Sequence, residues 1–189
     1  MANGGDGPSL ELEHAIGYSS FNCPAMCWHP NGKSVLYAAG SAVVVGDLTD
    51  PHNQVFLRGH DEPVTCLALS PNGDLAASGQ GGNNSDVCVW DLARQTLLFR
   101  CCEHDHGVSC VSFSHDSKLL ATCGHEKDNK LLIWDMSSGA IVAISNQNPG
   151  ASTCVAWGGM VRIKENDTFP IFMLGVDYDA TSNFSDTVS

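Results

Sequence analysis

Short apolar runs follow one another along most of the chain, separated by clusters of glycine, proline, asparagine, aspartate and serine. Runs such as 64–69 (VTCLAL) and 131–134 (LLIW) are nearly continuous, lacking the clean alternation of a sheet with one wet face. A strand buried on both faces has this pattern. The runs fall into groups of four. The first group predicts strands at 25–29, 34–40, 42–47 and 54–57. The second predicts them at 64–70, 74–79, 86–91 and 95–100, and the third at 108–114, 118–124, 130–135 and 140–145. Turn residues such as Pro71-Asn72-Gly73 lie between them. A fourth group begins at 152–157 and offers one more apolar run, 169–176. The pattern predicts an all-β chain with no helix longer than about two turns.

The groups repeat on a common beat. Trp90-Asp91 returns as Trp134-Asp135, His60 as His104 and Ser78 as Thr122, each 44 residues later. An apolar anchor keeps the same phase at Trp28, Leu69, Phe113 and Trp157, in steps of 41, 44 and 44. A repeat of about this length ending in Trp-Asp is the signature of the WD repeat, in which each unit forms one four-stranded blade of a β-propeller. The chain is therefore identified as a partial WD-repeat β-propeller, with three full blades plus part of a fourth. Residues 1–17 are expected to form a flexible lead-in with an initial strand. The blades fall at about 18–59, 60–103 and 104–147, within a repeat region running over 18–157, and the fourth starts at 148. Residues 158–189 read as a divergent, incomplete fourth blade and polar tail. The first blade is degenerate: Asp47 keeps the register, but Gly46 occupies the tryptophan position and no histidine lies one period before His60.

Several polar residues invite a chemical reading. His104, Thr122, Asp128 and Trp134 resemble the hydrogen-bonded tetrad that braces a WD blade, running from Asp to His, from His to Ser/Thr, and from the hydroxyl to the indole N–H. His60, Ser78 and Trp90 repeat it in part, with Asn84 at the register of Asp128 and Asp86 as the other candidate for the acidic place. The same residue types could compose a Ser/His/Asp catalytic set. The bracing reading is preferred, because each member sits at its repeat position and a buried imidazole or indole N–H needs a partner. Cys23, Cys27 and His29, or Cys101, Cys102, His104 and His106, lack the two matched pairs of a zinc site. Gly79–Gly82 lacks the lysine and helix of a phosphate loop. No enzyme activity, cofactor or metal is expected.

Composition narrows the partners. A net charge of −12, with nine Lys and Arg scattered along the chain, argues against nucleic acid. No run is long enough to cross a bilayer as a helix, and no secretory signal opens the chain. Six of the nine cysteines (Cys27, Cys66, Cys88, Cys110, Cys123, Cys154) fall in predicted strands and are expected to be reduced, buried thiols of a soluble intracellular protein. A seven-bladed ring needs about 300 residues, so 189 residues are expected to represent a fragment or short form of a longer parent. A small domain completed by self-association is the alternative.

Residues 10–17 (LELEHAIG), 56–60 (FLRGH), 64–70 (VTCLALS) and 77–80 (ASGQ) carry a narrower likeness. Over about residues 8–145 the chain resembles the large tandem-propeller WD-repeat proteins of cilia. Similar stretches occur in centriolar WD-repeat proteins and in the echinoderm microtubule-associated protein-like family. The resemblance implies a non-enzymatic structural component of the ciliary or flagellar axoneme, a microtubule inner protein held by tubulin and other axonemal proteins. A soluble WD-repeat scaffold or ubiquitin-ligase substrate adaptor is the competing expectation.

Overall fold

Fourteen strands account for the regular structure of the described residues, which are 13–18, 25–146, 152–164 and 167–176 of a computed structural model; for 152–153, 159–164 and 167–176 the backbone alone is described. The first sheet contains β1 (Met26–Trp28), β2 (Ser34–Ala39), β3 (Ala42–Asp47) and β4 (Gln54–Arg58). The second contains β5 (Val64–Leu69), β6 (Leu75–Gln80), β7 (Asn83–Asp91) and β8 (Thr96–His106). The third contains β9 (Val108–Phe113), β10 (Leu119–Gly124), β11 (Leu131–Asp135) and β12 (Ile141–Ser145). Each is an antiparallel meander in chain order, so the strands bearing Trp90 and Trp134 are inner members. β13 (Ser152–Lys164) and β14 (Asp167–Val176) form an antiparallel hairpin. The architecture is an all-β partial WD-repeat propeller.

The continuous apolar runs have a simple cause. Along β7, Val87 and Val89 enter the core shared with the third sheet, while Cys88 and Trp90 enter the core shared with the first. Along β11, Leu132 and Trp134 face the second sheet, and Leu131 and Ile133 face Val155 and Trp157 of β13. The period is still two, but the second and third sheets are covered on both faces by their neighbours. Each aliphatic side chain fully buried this way contributes roughly 1.5–3 kcal/mol relative to its exposed state.

Two segments depart from the sequence reading. The hairpin of β7 and β8 runs longer than the predicted 86–91 and 95–100, because Asn83 pairs with His106 and Ser85 with His104. β8 therefore carries His104 in the second sheet, and the expected blade boundary at 103/104 lies inside this strand. Residues 13–18 of the lead-in form no strand. Side chains hold them instead: the Ala15 N–H donates to Gln54 Oε1 at 2.9 Å, and the Ala15 carbonyl accepts from Gln54 Nε2 at 3.1 Å and Tyr37 Oη at 3.3 Å. The expected initial strand otherwise falls in 1–12, outside the described residues, as does the polar tail beyond 176.

Candidate functional site

The third blade brings His104, Thr122, Asp128 and Trp134 into one buried chain of hydrogen bonds. The Trp134 indole N–H donates to Thr122 Oγ1 at 3.0 Å. Thr122 Oγ1 lies 2.9 Å from His104 Nε2, and His104 Nδ1 lies 2.5 Å from Asp128 Oδ2. The network assigns the tautomer: Thr122 donates to Nε2, and the Nδ1 hydrogen goes to Asp128. Asp128 Oδ1 also accepts the backbone N–H groups of Asp105 and His106, at 2.5 and 3.3 Å. The strand β8, the strands β10 and β11, and the turn bearing Asp128 are thus tied through four side chains.

The second blade repeats the first two links. Trp90 Nε1 donates to Ser78 Oγ at 2.8 Å, and Ser78 Oγ lies 2.7 Å from His60 Nε2. The third link corrects the sequence reading. Neither Asn84 nor Asp86 takes the acidic place; His60 Nδ1 meets Gln80 Oε1 at 2.8 Å. Asp86 is engaged elsewhere, with Arg100 Nη1 at 2.5 Å, and Arg100 also donates to the Gly59 carbonyl. The signal for Gln80 lies 44 residues on, where the third blade has Gly124. A β-carbon at Gly124 would collide with the Asp128 carboxyl group, so the turn can fold its aspartate over the strand only because glycine stands there. In the second blade a side chain does occupy that position, and it supplies the acceptor itself.

The first blade solves the problem without histidine. Tyr37 stands at the Ser78/Thr122 position, and its ring lies beside Gly46, 3.5 Å from where a β-carbon would stand. Its hydroxyl reaches the Ala15 carbonyl, so the lead-in backbone takes the histidine's place. Asp47 is retained for a separate reason. The aspartates at this register hold the turns that follow: Asp47 accepts the Thr49 N–H at 2.7 Å, Asp91 the Arg94 N–H at 2.8 Å, and Asp135 the Ser137 N–H at 2.9 Å. Hydrogen bonds from Thr49 for Asp47, from Arg94 for Asp91 and from Ser137 for Asp135 hold all three carboxyls below their ordinary value.

As a catalytic set these residues are badly placed. Ser78 and Thr122 are fully buried, and each hydroxyl oxygen already accepts an indole N–H. Burial holds the His60 and His104 imidazoles below their ordinary 6.5, outweighing the opposing pull of the Gln80 and Asp128 hydrogen bonds. Burial also pushes the Cys88 and Cys101 thiols up to about 12, far from nucleophilic thiolates. Among the described residues, no group of three or more His, Cys, Asp or Glu is arranged to hold a metal, and Cys27, Cys88, Cys101, Cys102, Cys110 and Cys154 are free thiols. Cys23 lies outside the described residues. No helix among the described residues is long and apolar enough to cross a membrane.

The accessible features lie elsewhere. At one end of the second and third blades, the 81–82 turn, Gly107 and the 125–127 turn enclose a cleft of about 300 Å³ bordered by Thr65, Asn83, His106, His125 and Lys127. A second cleft, of about 290 Å³ and wholly apolar, opens on the free face of the first blade.

These sheets and braces define a class, the WD-repeat propellers, and residues 52–91 and 95–135 each match the family model of the WD domain, G-beta repeat. Within that class the chain is similar to cilia- and flagella-associated protein 52. The Chlamydomonas reinhardtii protein is 39% identical over 94 residues, which cover 48% of this chain and 15% of the relative. The human protein is 34% identical over 94 residues with the same coverage. Human WD repeat-containing protein 90 is 36% identical over 95 residues, covering 49% of this chain and 5% of that protein. These aligned regions are a small part of each relative's length.

Proposed function

We propose that this chain is a non-enzymatic protein-interaction platform of the ciliary or flagellar axoneme, associated with microtubules as an inner protein of the doublet wall. The observation that carries the reading is the 39% identity to a cilia- and flagella-associated protein over half of the chain. Burial of every histidine–hydroxyl pair in the braces supports a platform over an enzyme. The polar cleft at the turn ends of the second and third blades is the surface offered to partners, through shape and single hydrogen bonds more than net charge. A chain of net charge −12 gains nothing from general attraction to an acidic polymer such as tubulin, so specific turn contacts and neighbouring lattice proteins must hold it.

The test is to express the tagged protein in cells with motile cilia and extract membrane and soluble matrix with detergent. Retention along the doublets is the expected result. A diffuse protein, fully extracted, would overturn the axonemal assignment and leave the soluble scaffold or adaptor in its place.

A further inference from the structure

The first strands β5, β9 and β13 each seal their sheet against the preceding one, through the same positions. Leu67 and Leu69 of β5 pack into the core shared with the first sheet. Val111 and Phe113 of β9 pack into the core shared with the second. Val155 and Trp157 of β13 pack onto Cys110, Ala121 and Cys123 of the third. The Trp157 indole N–H donates to the Ser112 carbonyl at 3.0 Å. Counterparts in the first sheet are Met26 and Trp28, at the matching strand register opposite Tyr37 and Val35. Both stand open: Trp28 is 66% exposed and Met26 38%, against 8% for Trp157. They line the apolar cleft with Tyr18, Val35, Tyr37 and Leu48.

Two positions of the surface that would receive them are described. Trp157 docks on the side of β9 that carries Cys110 and Ser112. Forty-four residues later the outward side of β13 carries Cys154 and Ala156, both exposed. The first sheet thus presents the bulky residues of a blade interface, and β13 presents two of the small residues that accept them.

We propose that two copies of this chain associate head to tail, with Met26 and Trp28 of one copy seated on Cys154 and Ala156 of the other. The Trp28 indole then donates to the Ala156 carbonyl, as Trp157 does to Ser112. The docking is heterologous, joining different surfaces on the two copies. Among the described residues each copy contributes four sheets, the fourth a two-stranded hairpin, so a pair joined at both ends contains eight. Propeller rings close over about four to eight blades, and the assembly is a closed dimer. This inference rests on blade register and is independent of the ciliary reading.

Sedimentation velocity on the full chain, from low to tens of micromolar, tests it. The expected result is a dimer, with a blue shift of Trp emission on association, because the other three tryptophans are already buried. Trp28→Glu and Ala156→Arg each change an exposed residue, and near-UV circular dichroism checks that both variants keep the fold. Either variant alone should raise the dimer dissociation constant by at least ~30-fold, the scale of an interface hot spot. Mixing the two should restore association, since the intact tail of the first meets the intact head of the second. A wild-type chain that stays monomeric overturns the proposal and leaves the open face to a blade from another protein. A dimer that survives Ala156→Arg also overturns it, by placing Trp28 against something other than β13.

Discussion

At position 80 a glutamine reaches back to His60 from its own strand, and at the matching position 124 a glycine makes room for Asp128 to reach His104 from a turn. The two sites are opposite answers to one requirement, an acceptor for a buried imidazole N–H. Gln80→Ala should leave His60 unsatisfied and cost about 1–3 kcal/mol, read from the urea midpoint. Asn84 sits in the left-handed region, with φ of 50°, and takes no part in the brace. Asn84→Gly should therefore change stability by no more than about 0.5 kcal/mol; a loss equal to that of Gln80→Ala would return Asn84 to the network. His104→Ala strands both Thr122 and Asp128 and should also cost about 1–3 kcal/mol. Acid acts on the same residues. His60 and His104 resist protonation when folded, so the unfolded chain binds more protons below 6.5. Their contribution is complete above 6.5 and is lost as pH falls from there toward the lower folded values. The turn aspartates, held below 3.8, lose theirs only as pH falls further, from about 3.8 toward their own folded values. Melting temperature should thus begin to fall below pH 6.5, and a His60→Gln, His104→Gln double variant should flatten that upper part of the profile.

The second and third sheets are elements whose inner strands are sealed twice, once by strand pairing on both edges and once by neighbouring sheets on both faces. β6, β7, β10 and β11 meet both conditions. β12 is an edge strand with Val142 and Ile144 mostly exposed. Native-state hydrogen exchange should find the slowest amides in those inner strands and distinctly faster ones in β12; uniform protection across the third sheet would contradict the layered packing. The strand groups, their order and the inner placement of both tryptophans were legible in the apolar runs and the 44-residue beat. The extension of β8 through Cys101–His106 was not. That segment is polar and lacks strand periodicity, and it is held by backbone pairing with Asn83 and Ser85, which leaves no mark in side-chain type. The role of Tyr37 was hidden for a related reason, since its partner is the main-chain carbonyl of Ala15.

Across the whole molecule, a net charge of −12 is spread over a stack of thin sheets with only nine Lys and Arg to offset it. Self-repulsion of this kind opposes compaction and is screened by salt. Raising NaCl from about 10 to 150 mM shortens the screening length from roughly 30 to 8 Å. Stability should rise by about 1 kcal/mol, a shift of roughly 2–4 °C in Tm for a chain of this size. A melt that is lower in salt would show that exposed pairs such as Lys130–Asp105, at 2.7 Å, outweigh the general repulsion.

The sequence alone determined that this chain is a stack of WD blades, where the braces lie, and that the first blade lacks one. Those facts are written in residue type and spacing, because the indole, Ser/Thr hydroxyl and imidazole recur together 44 residues apart in the second and third blades and are missing together from the first. Only the tertiary structure decided which residue completes each brace, since that depends on whether a turn can fold over a strand, as at Gly124, or a side chain must reach along it, as at Gln80. Only it, too, separated Trp157 from Trp28. The two share one register and one chemistry, but a neighbouring sheet covers the first, while the second stands 66% open to water.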